Sequence, residues 1–166
     1  MNIIILSPNA NVLLTSEHFK KLHSIGNVII ETTIVPLCNV KSLYEEDEEK
    51  ILAIDPDFCD WKINNIDIEN IPNLKAICLE TTSFNWIDID FAKSKGIPVT
   101  NIKGFSTDAV AEWAFMMAIN LSKKIPLIIR SGWKQDYEKF QGIELKGKKV
   151  AVIGLGNIGK RIAELC

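Results

Sequence analysis

The sequence predicts an α/β protein built on a parallel sheet. Short apolar, β-branched runs alternate along the chain with segments of helical spacing, and a glycine-rich strand-to-helix turn stands at 154–159. Composition agrees. With 47% hydrophobic and 24% charged residues, the 166-residue chain reads as a globular protein able to bury one core of ordinary domain size.

The elements follow in order. Met1-Asn2 runs directly into Ile3-Ile4-Ile5-Leu6, so residues 2–6 are expected to form a first strand. A basic leader and a small-residue cleavage site are lacking there, which speaks against a signal peptide and favours the cytoplasm. Ser16 to His23 has the pattern of a short amphipathic helix closed by Gly26, and 28–33 that of a second strand. The acidic run Glu45 to Glu49 is read as the solvated face of a helix start or loop. Residues 51–54 make a third strand ended by Asp55-Pro56, and 57–74 an irregular crossover with one helical turn near 68–71. The pattern then sharpens into a buried strand at 74–79, a helix at 87–95 stopped by Gly96, and a short strand at Pro98-Val99, together one βαβ unit.

Residues 107–124 predict the longest helix, with Ser106 or Asp108 as its cap. Val110, Trp113, Met117 and Leu121 follow helical spacing, while Phe115, Met116 and Ile119 make the other side apolar too. A helix apolar nearly all round is expected to be buried on most sides, here between two lobes. Pro126 ends or restarts it, a polar connection covers 130–142, and a turn at 146–149 leads into a last strand at Val150.

Several function classes are disfavoured. A formal charge of −2, with lysines spread among acids, offers no field for nucleic acid. The longest apolar stretch, Ala109 to Ile119, is interrupted by Glu112 and is too short to span a bilayer. Cys38, Cys59, Cys78 and Cys166 are far apart without a C-x-x-C pair, so free, mostly buried thiols are expected and no zinc. His18 and His23, five apart, do not share a helix face well, and no metal site is expected.

The strongest motif is Val150-Ala151-Val152-Ile153-Gly154-Leu155-Gly156-Asn157-Ile158-Gly159. A lone G-x-G-x-x-G is weak, but this one follows a β-branched run and opens an amphipathic helix, the context of a dinucleotide-binding Rossmann unit. Gly154 would permit the tight turn, Gly156 the close approach of a pyrophosphate, and Gly159 close helix–strand packing. The free amides at Gly156, Asn157 and Ile158, with the helix dipole, would receive the phosphates. The acid that contacts the ribose in such domains comes about twenty residues later, beyond Cys166, so the cofactor site is expected to be begun and not completed here. A second candidate site is the carboxyl edge of the sheet, where open α/β sheets bind ligands. Glu80 to Asn85 and Asn101 to Ser106 would place two polar loops there.

These residues carry a resemblance. Phe84-Asn85-Trp86-Ile87-Asp88, Lys95-Gly96-Ile97-Pro98-Val99-Thr100-Asn101, Ser106-Thr107-Asp108-Ala109-Val110-Ala111-Glu112 and Leu145-Lys146-Gly147-Lys148-Lys149-Val150 before the glycine motif resemble the D-isomer-specific 2-hydroxyacid dehydrogenases. The resemblance covers 74–124 and 145–166. The first 73 residues share only a strand–helix rhythm. It implies a flavodoxin-like parallel-sheet substrate lobe, with residues 1–103 as its N-terminal part, followed by the truncated start of a Rossmann NAD-binding domain. Residues 104–166 would be the interdomain helix and first βα unit of that second domain. It further implies NAD, with NADP open, a small 2-hydroxy or 2-keto acid as substrate, and a homodimer. By the same resemblance, Thr82, Ser83 and Phe84 would offer backbone amides to the substrate carboxylate. Ser106 would face the cleft, and Asn157 and Ile158 would sit against the pyrophosphate.

The chain departs from the family pattern at Ser83, where glycine is usual, at Lys103, where proline is usual, and at Trp113, where smaller residues or histidine stand. Ser83 brings a Cβ into a loop expected to need an unusual backbone angle. The arginine, glutamate and histidine that the family uses in catalysis lie downstream of the glycine motif, and Arg130 and Arg161 are not placed for that task. No catalytic residue is therefore assigned. The chain is expected to be an inactive N-terminal fragment of the enzyme. The alternatives are a non-catalytic dinucleotide-binding regulator on the same scaffold, or a fragment that supplies only a dimer surface. An uncovered 107–124 helix would favour association.

Overall fold

The computed structural model describes residues 1–44, 47–134 and 136–166, which divide into two compact units, Met1–Lys103 and Gly104–Cys166. Glu45 and Glu46 of the acidic run lie outside the described residues; beyond them, Glu49 pairs with Lys75 at 3.2 Å.

The first unit is a five-stranded sheet in the order β2-β1-β3-β4-β5, with β1 Asn2–Leu6, β2 Asn27–Glu31, β3 Lys50–Ile54, β4 Leu74–Leu79 and β5 Val99–Asn101. Every pairing is parallel. This is the flavodoxin-like strand order, the mixed α/β class that the sequence predicts. β1 lies between β2 and β3 and is buried along its whole length, which is why it reads as a continuous apolar run without alternation.

One face of the sheet carries the main core. Ile4, Leu6, Leu52, Ile54, Ile77 and Leu79 meet Leu37, Leu43, Phe58, Ile68, Ile87 and Ala92 from the segments over it. Each side chain of this size contributes about 1.5–3 kcal/mol when fully buried. The other face is thinner. Ile3, Ile5, Val28 and Ile30 are covered by α1 (Ala10–Leu13) and α2 (Ser16–Ile25) through Ala10, Leu14 and Leu22. Beside them Ala53, Cys78 and Thr100 line an open hollow of about 360 Å³.

Local chemistry sets the helix boundaries. Thr15 accepts from the His18 amide while His18 Nδ1 accepts from the Thr15 amide, a capping box that starts α2 and gives His18 a local partner. Asp88 accepts from the Phe91 amide at 2.9 Å and caps α5, which therefore spans Ile89–Ser94, shorter than the expected 87–95. The short α3 (Lys41–Tyr44) follows β2, and α4 (Asn65–Asn70) is a helix where only one turn near 68–71 was expected. The second strand ends at Glu31, two residues short of the expected 33. The thiols are free, but Cys38 and Cys166 are exposed and Cys59 and Cys78 half-buried, against the expectation of mostly buried cysteines.

The second unit contains α6 (Thr107–Ser122), α7 (Ile125–Arg130), α8 (Tyr137–Phe140) and α9 (Asn157–Leu165). Lys124 adopts a left-handed conformation, and Pro126 sits in the first turn of α7, so the chain breaks and restarts as a new helix. Two expectations are overturned here. Residues 150–153 form no strand: they have no ladder partner among the described residues, and Ile153 is fully exposed. The apolar α6 is not enclosed either. Within its unit it packs against α9 and α7, and two short helices cannot cover a helix apolar all round, so Trp113 and Leu121 remain 65% and 69% exposed. No helix of the described residues is long and apolar enough to cross a membrane.

Candidate functional site

In the first unit, the carboxyl ends of β1, β3 and β4 each deliver a polar residue immediately after the last apolar one: Ser7, Asp55 and Glu80. The buried Ser7 hydroxyl donates to Asp55 Oδ2 at 3.1 Å. Burial raises the Glu80 carboxyl above its ordinary range; Ser7 opposes the shift through a hydrogen bond, and the nearby Asp55 charge adds to it. Glu80 was expected on this edge, whereas Ser7 and Asp55 were not expected to join it in a cluster. Its signal was available as a polar residue directly following each of three strand ends.

The loop after Glu80 holds Thr82, Ser83 and Phe84 side by side. Thr82 and Phe84 are exposed and Ser83 is half-buried. Three successive carbonyls of the loop are occupied. Thr81 O accepts from the Ile102 amide at 3.1 Å, Thr82 O from Asn101 Nδ2 at 2.8 Å, and Ser83 O from Trp86 Nε1 at 2.9 Å. The Ser83 amide donates to Thr81 Oγ1 at 3.3 Å. Ser83 is not among the residues at positive φ, so the strain expected where the family has glycine is not realised. A small hollow of about 180 Å³ opens beside this loop between Leu79, Phe84, Ile89, Val99, Thr100 and Asn101. Ser106 belongs to the second unit, at the N-cap of α6, and makes no side-chain hydrogen bond to that helix. Asp108, the other cap candidate, instead accepts from Arg161 Nε at 2.7 Å.

The second unit brings Gly154, Gly156, Asn157, Ile158 and Gly159 into one turn at the start of α9. Gly154 has φ +96, a conformation that L side chains rarely adopt. A Cβ on Gly156 would meet nothing within 4 Å, leaving an open approach to the backbone. A Cβ on Gly159 would overlap the Gly154 carbonyl oxygen, so the helix can close on the turn only with glycine there. No side chain caps α9, and its first-turn amides stay open to an incoming anion. The cradle is of the kind a pyrophosphate needs: bare backbone, free amides and no carboxylate within the turn.

The two arginines have other partners or positions. Arg161 is raised by its hydrogen bonds to Glu164 and Asp108 and ties α9 to α6, while Arg130 ends α7 exposed. Among the described residues, no group of three or more His, Cys, Asp and Glu side chains could hold a metal ion.

The family model described as the D-isomer specific 2-hydroxyacid dehydrogenase catalytic domain matches residues 48–157. A glyoxylate reductase of Thermococcus litoralis is 36% identical over 112 residues, covering 62% of this chain and 34% of that protein. A D-2-hydroxyacid dehydrogenase (NAD(+)) of Clostridioides difficile is 35% identical over 95 residues, covering 55% of this chain and 29% of that protein. Among solved structures, an acyclic imino acid reductase in complex with NADPH and D-Arg superposes with a TM-score of 0.79 at 27% identity, covering 99% of this chain and 52% of that one. The chain thus spans about a third of the length of these curated relatives.

Proposed function

The chain belongs to the D-isomer-specific 2-hydroxyacid dehydrogenase family, and from that membership we propose that it is the N-terminal part of an oxidoreductase acting between a nicotinamide cofactor and a small 2-hydroxy or 2-keto acid. The observation that carries the reading is the turn at Gly154–Gly159: a left-handed first glycine, an open second and a sterically compelled third, leading into an uncapped helix. Residues 1–103 are assigned as the N-terminal part of the substrate lobe. Residues 104–166 are assigned as the interdomain helix and the first βα unit of the cofactor lobe.

When bound, the cofactor supplies or accepts the hydride. The residues of this chain do the holding. Gly154, Gly156 and Gly159 let the backbone approach the pyrophosphate, and the amides of Asn157 and Ile158 meet its charge at the positive end of α9. Thr82, Ser83 and Phe84 present the backbone edge on which the substrate carboxylate rests, and Ser106 is assigned as a further substrate-facing residue. NAD is the cofactor proposed, in line with the Clostridioides relative's name, and NADP is the alternative, since the superposed reductase was solved with NADPH.

Among the described residues, no base and no carboxylate-binding cation is assigned for the reaction. His18 serves the cap of α2, His23 stacks on Phe19, and Arg161 is tied to Asp108 and Glu164. The 166 residues alone are therefore proposed to be inactive. The intact protein is proposed to be a cytoplasmic homodimer. NADH titration of the chain, read by nicotinamide fluorescence, tests the cofactor reading. Saturable binding lost in Gly156→Val is expected. Binding that survives this change would remove the assigned site.

A further inference from the structure

The three carbonyls that precede the amides of Thr82, Ser83 and Phe84 are held by three different donors: the Ile102 amide, the Asn101 side chain and the Trp86 indole. A peptide unit is planar and trans, so fixing its carbonyl fixes the direction of the N–H that follows, on the opposite side. Holding Thr81 O, Thr82 O and Ser83 O therefore fixes the amides of residues 82, 83 and 84, of which that of Ser83 donates within the loop to Thr81 Oγ1. Two of the three holds come from side chains.

Trp86 is the better built of the two. The residue is 7% exposed, and its own carbonyl accepts from the Ile63 amide at 3.0 Å. Trp61 packs against it edge-on, with ring centroids 6.4 Å apart and planes at 69°. Trp61 is in turn set by Asp57, whose Oδ1 accepts from its indole at 2.9 Å, and by Pro56, whose carbonyl accepts from its amide at 2.9 Å. Asp60 and Trp61 occupy left-handed backbone at φ 50 and 54, consecutive and neither a glycine. Such strain persists only where the surroundings impose it. Asn65 Nδ2 adds a second tie across the same gap, donating to Asp88 Oδ2 at 3.0 Å.

We propose that Trp86, braced by Trp61 and seconded by Asn101, is a positioning residue that orients the backbone edge of this loop, the Phe84 amide above all, toward the substrate carboxylate. The purpose assigned to the loop rests on the reading given under Proposed function; the hold itself does not. Trp86 touches no substrate. It acts through the peptide plane between Ser83 and Phe84.

Order parameters from ¹⁵N relaxation on the 166-residue chain test the hold. In the parent, Phe84 is expected near the rigid-backbone value of about 0.85, and in Trp86→Phe, which keeps a ring but loses the donor, below about 0.6. Strands β1 to β5 should be unchanged between the two. An unchanged Phe84 in a folded Trp86→Phe would overturn the proposal. Should that variant fail to fold, Asn101→Ala applies the same test at the Ser83 amide, from an exposed strand end. Oxalate titration followed at the amides of 82–84 tests the loop's purpose. It should show saturable shifts in the parent and a loss of about five- to tenfold in affinity in Trp86→Phe, the worth of one hydrogen bond. A loosened loop in the variant with no oxalate response in the parent would overturn the carboxylate reading, and with it the positioning toward substrate. Oxalate bound equally by both proteins would overturn the positioning alone.

Discussion

Gly156 and Gly159 sit three residues apart in one turn and fail in different ways. At Gly156 the backbone has φ −71 and space above it, so Gly156→Ala should fold with stability within about 0.5 kcal/mol of the parent. Its Cβ would nevertheless stand where a phosphate must approach, and NADH binding should weaken. Gly159→Ala drives a methyl into the Gly154 carbonyl and must open the turn itself, so both binding and the melting of α9 should suffer. Circular dichroism and NADH titration on the two variants separate these outcomes; equal behaviour would mean the turn is read wrongly. Tyr44 gives a second test at this scale. Its hydroxyl is buried without a hydrogen-bond partner among the described residues, and its pKa is pushed up to about 12 by burial first, then by Asp67 and Cys38. The folded state holds this proton more tightly than the unfolded chain does. The linked stability is complete below pH 10 and is lost as pH rises from there toward 12. Tyr44→Phe removes an unsatisfied group, so it should stabilise by about 1 kcal/mol and flatten the alkaline limb of the stability–pH curve. A destabilised variant would show that the hydroxyl has a partner in solution. The glycines were legible in the sequence because spacing and context define their roles. Ser7 and Asp55 are marked there only as polar residues after strand ends, because their pairing joins segments far apart in the chain; the role of Trp86 is not marked, because Trp61 and Ile63, which hold it, come from another segment.

At the level of elements, the apolar runs that became β1, β3 and β4 were readable because a buried parallel strand is apolar nearly throughout. The run at 150–153 has the same composition and forms no strand, because a strand is defined by a neighbour and composition cannot supply one. Its amides should exchange with solvent as fast as loop amides, while those of β1 are protected; protection at 150–153 would mean a pairing partner has been found, as in a self-associated form. Helix α6 teaches the same lesson for packing. Its all-round apolarity was evident, but what lies against it was not, and Trp113, Met117 and Leu121 remain exposed. Trp113→Lys with Leu121→Gln should lower binding of an apolar dye and reduce association in sedimentation, with little change in helix content. Undiminished association would place the contact elsewhere. Capping explains the smaller shifts of boundary: Asp88 was counted inside its helix by periodicity but serves as its cap.

Across the whole chain, the two units differ in how well they are built. The first contains both hydrophobic clusters, whereas Ala111 is the one buried hydrophobic residue of the second among the described residues. Leu52→Ala in the main core should cost about 2–5 kcal/mol of the first unit's stability. Limited proteolysis should cut within 104–166 while a folded product close to 1–103 persists; cleavage inside the sheet first would contradict this division. Family membership was visible in strings of residues, and the strand order 2-1-3-4-5 bears out the fold they implied. The function proposed for these residues is service in a nicotinamide-linked 2-hydroxyacid dehydrogenase. The most direct measurement is the rate of NADH oxidation with glyoxylate, followed at 340 nm, for the product of the whole reading frame that encodes them, beside the 166-residue chain. Glyoxylate-dependent turnover is expected in the former, abolished by Gly156→Val, and none in the latter. NADH binding without turnover by the whole product, across a panel of small 2-keto acids, would contradict the enzyme reading and leave a dinucleotide-binding regulator in its place.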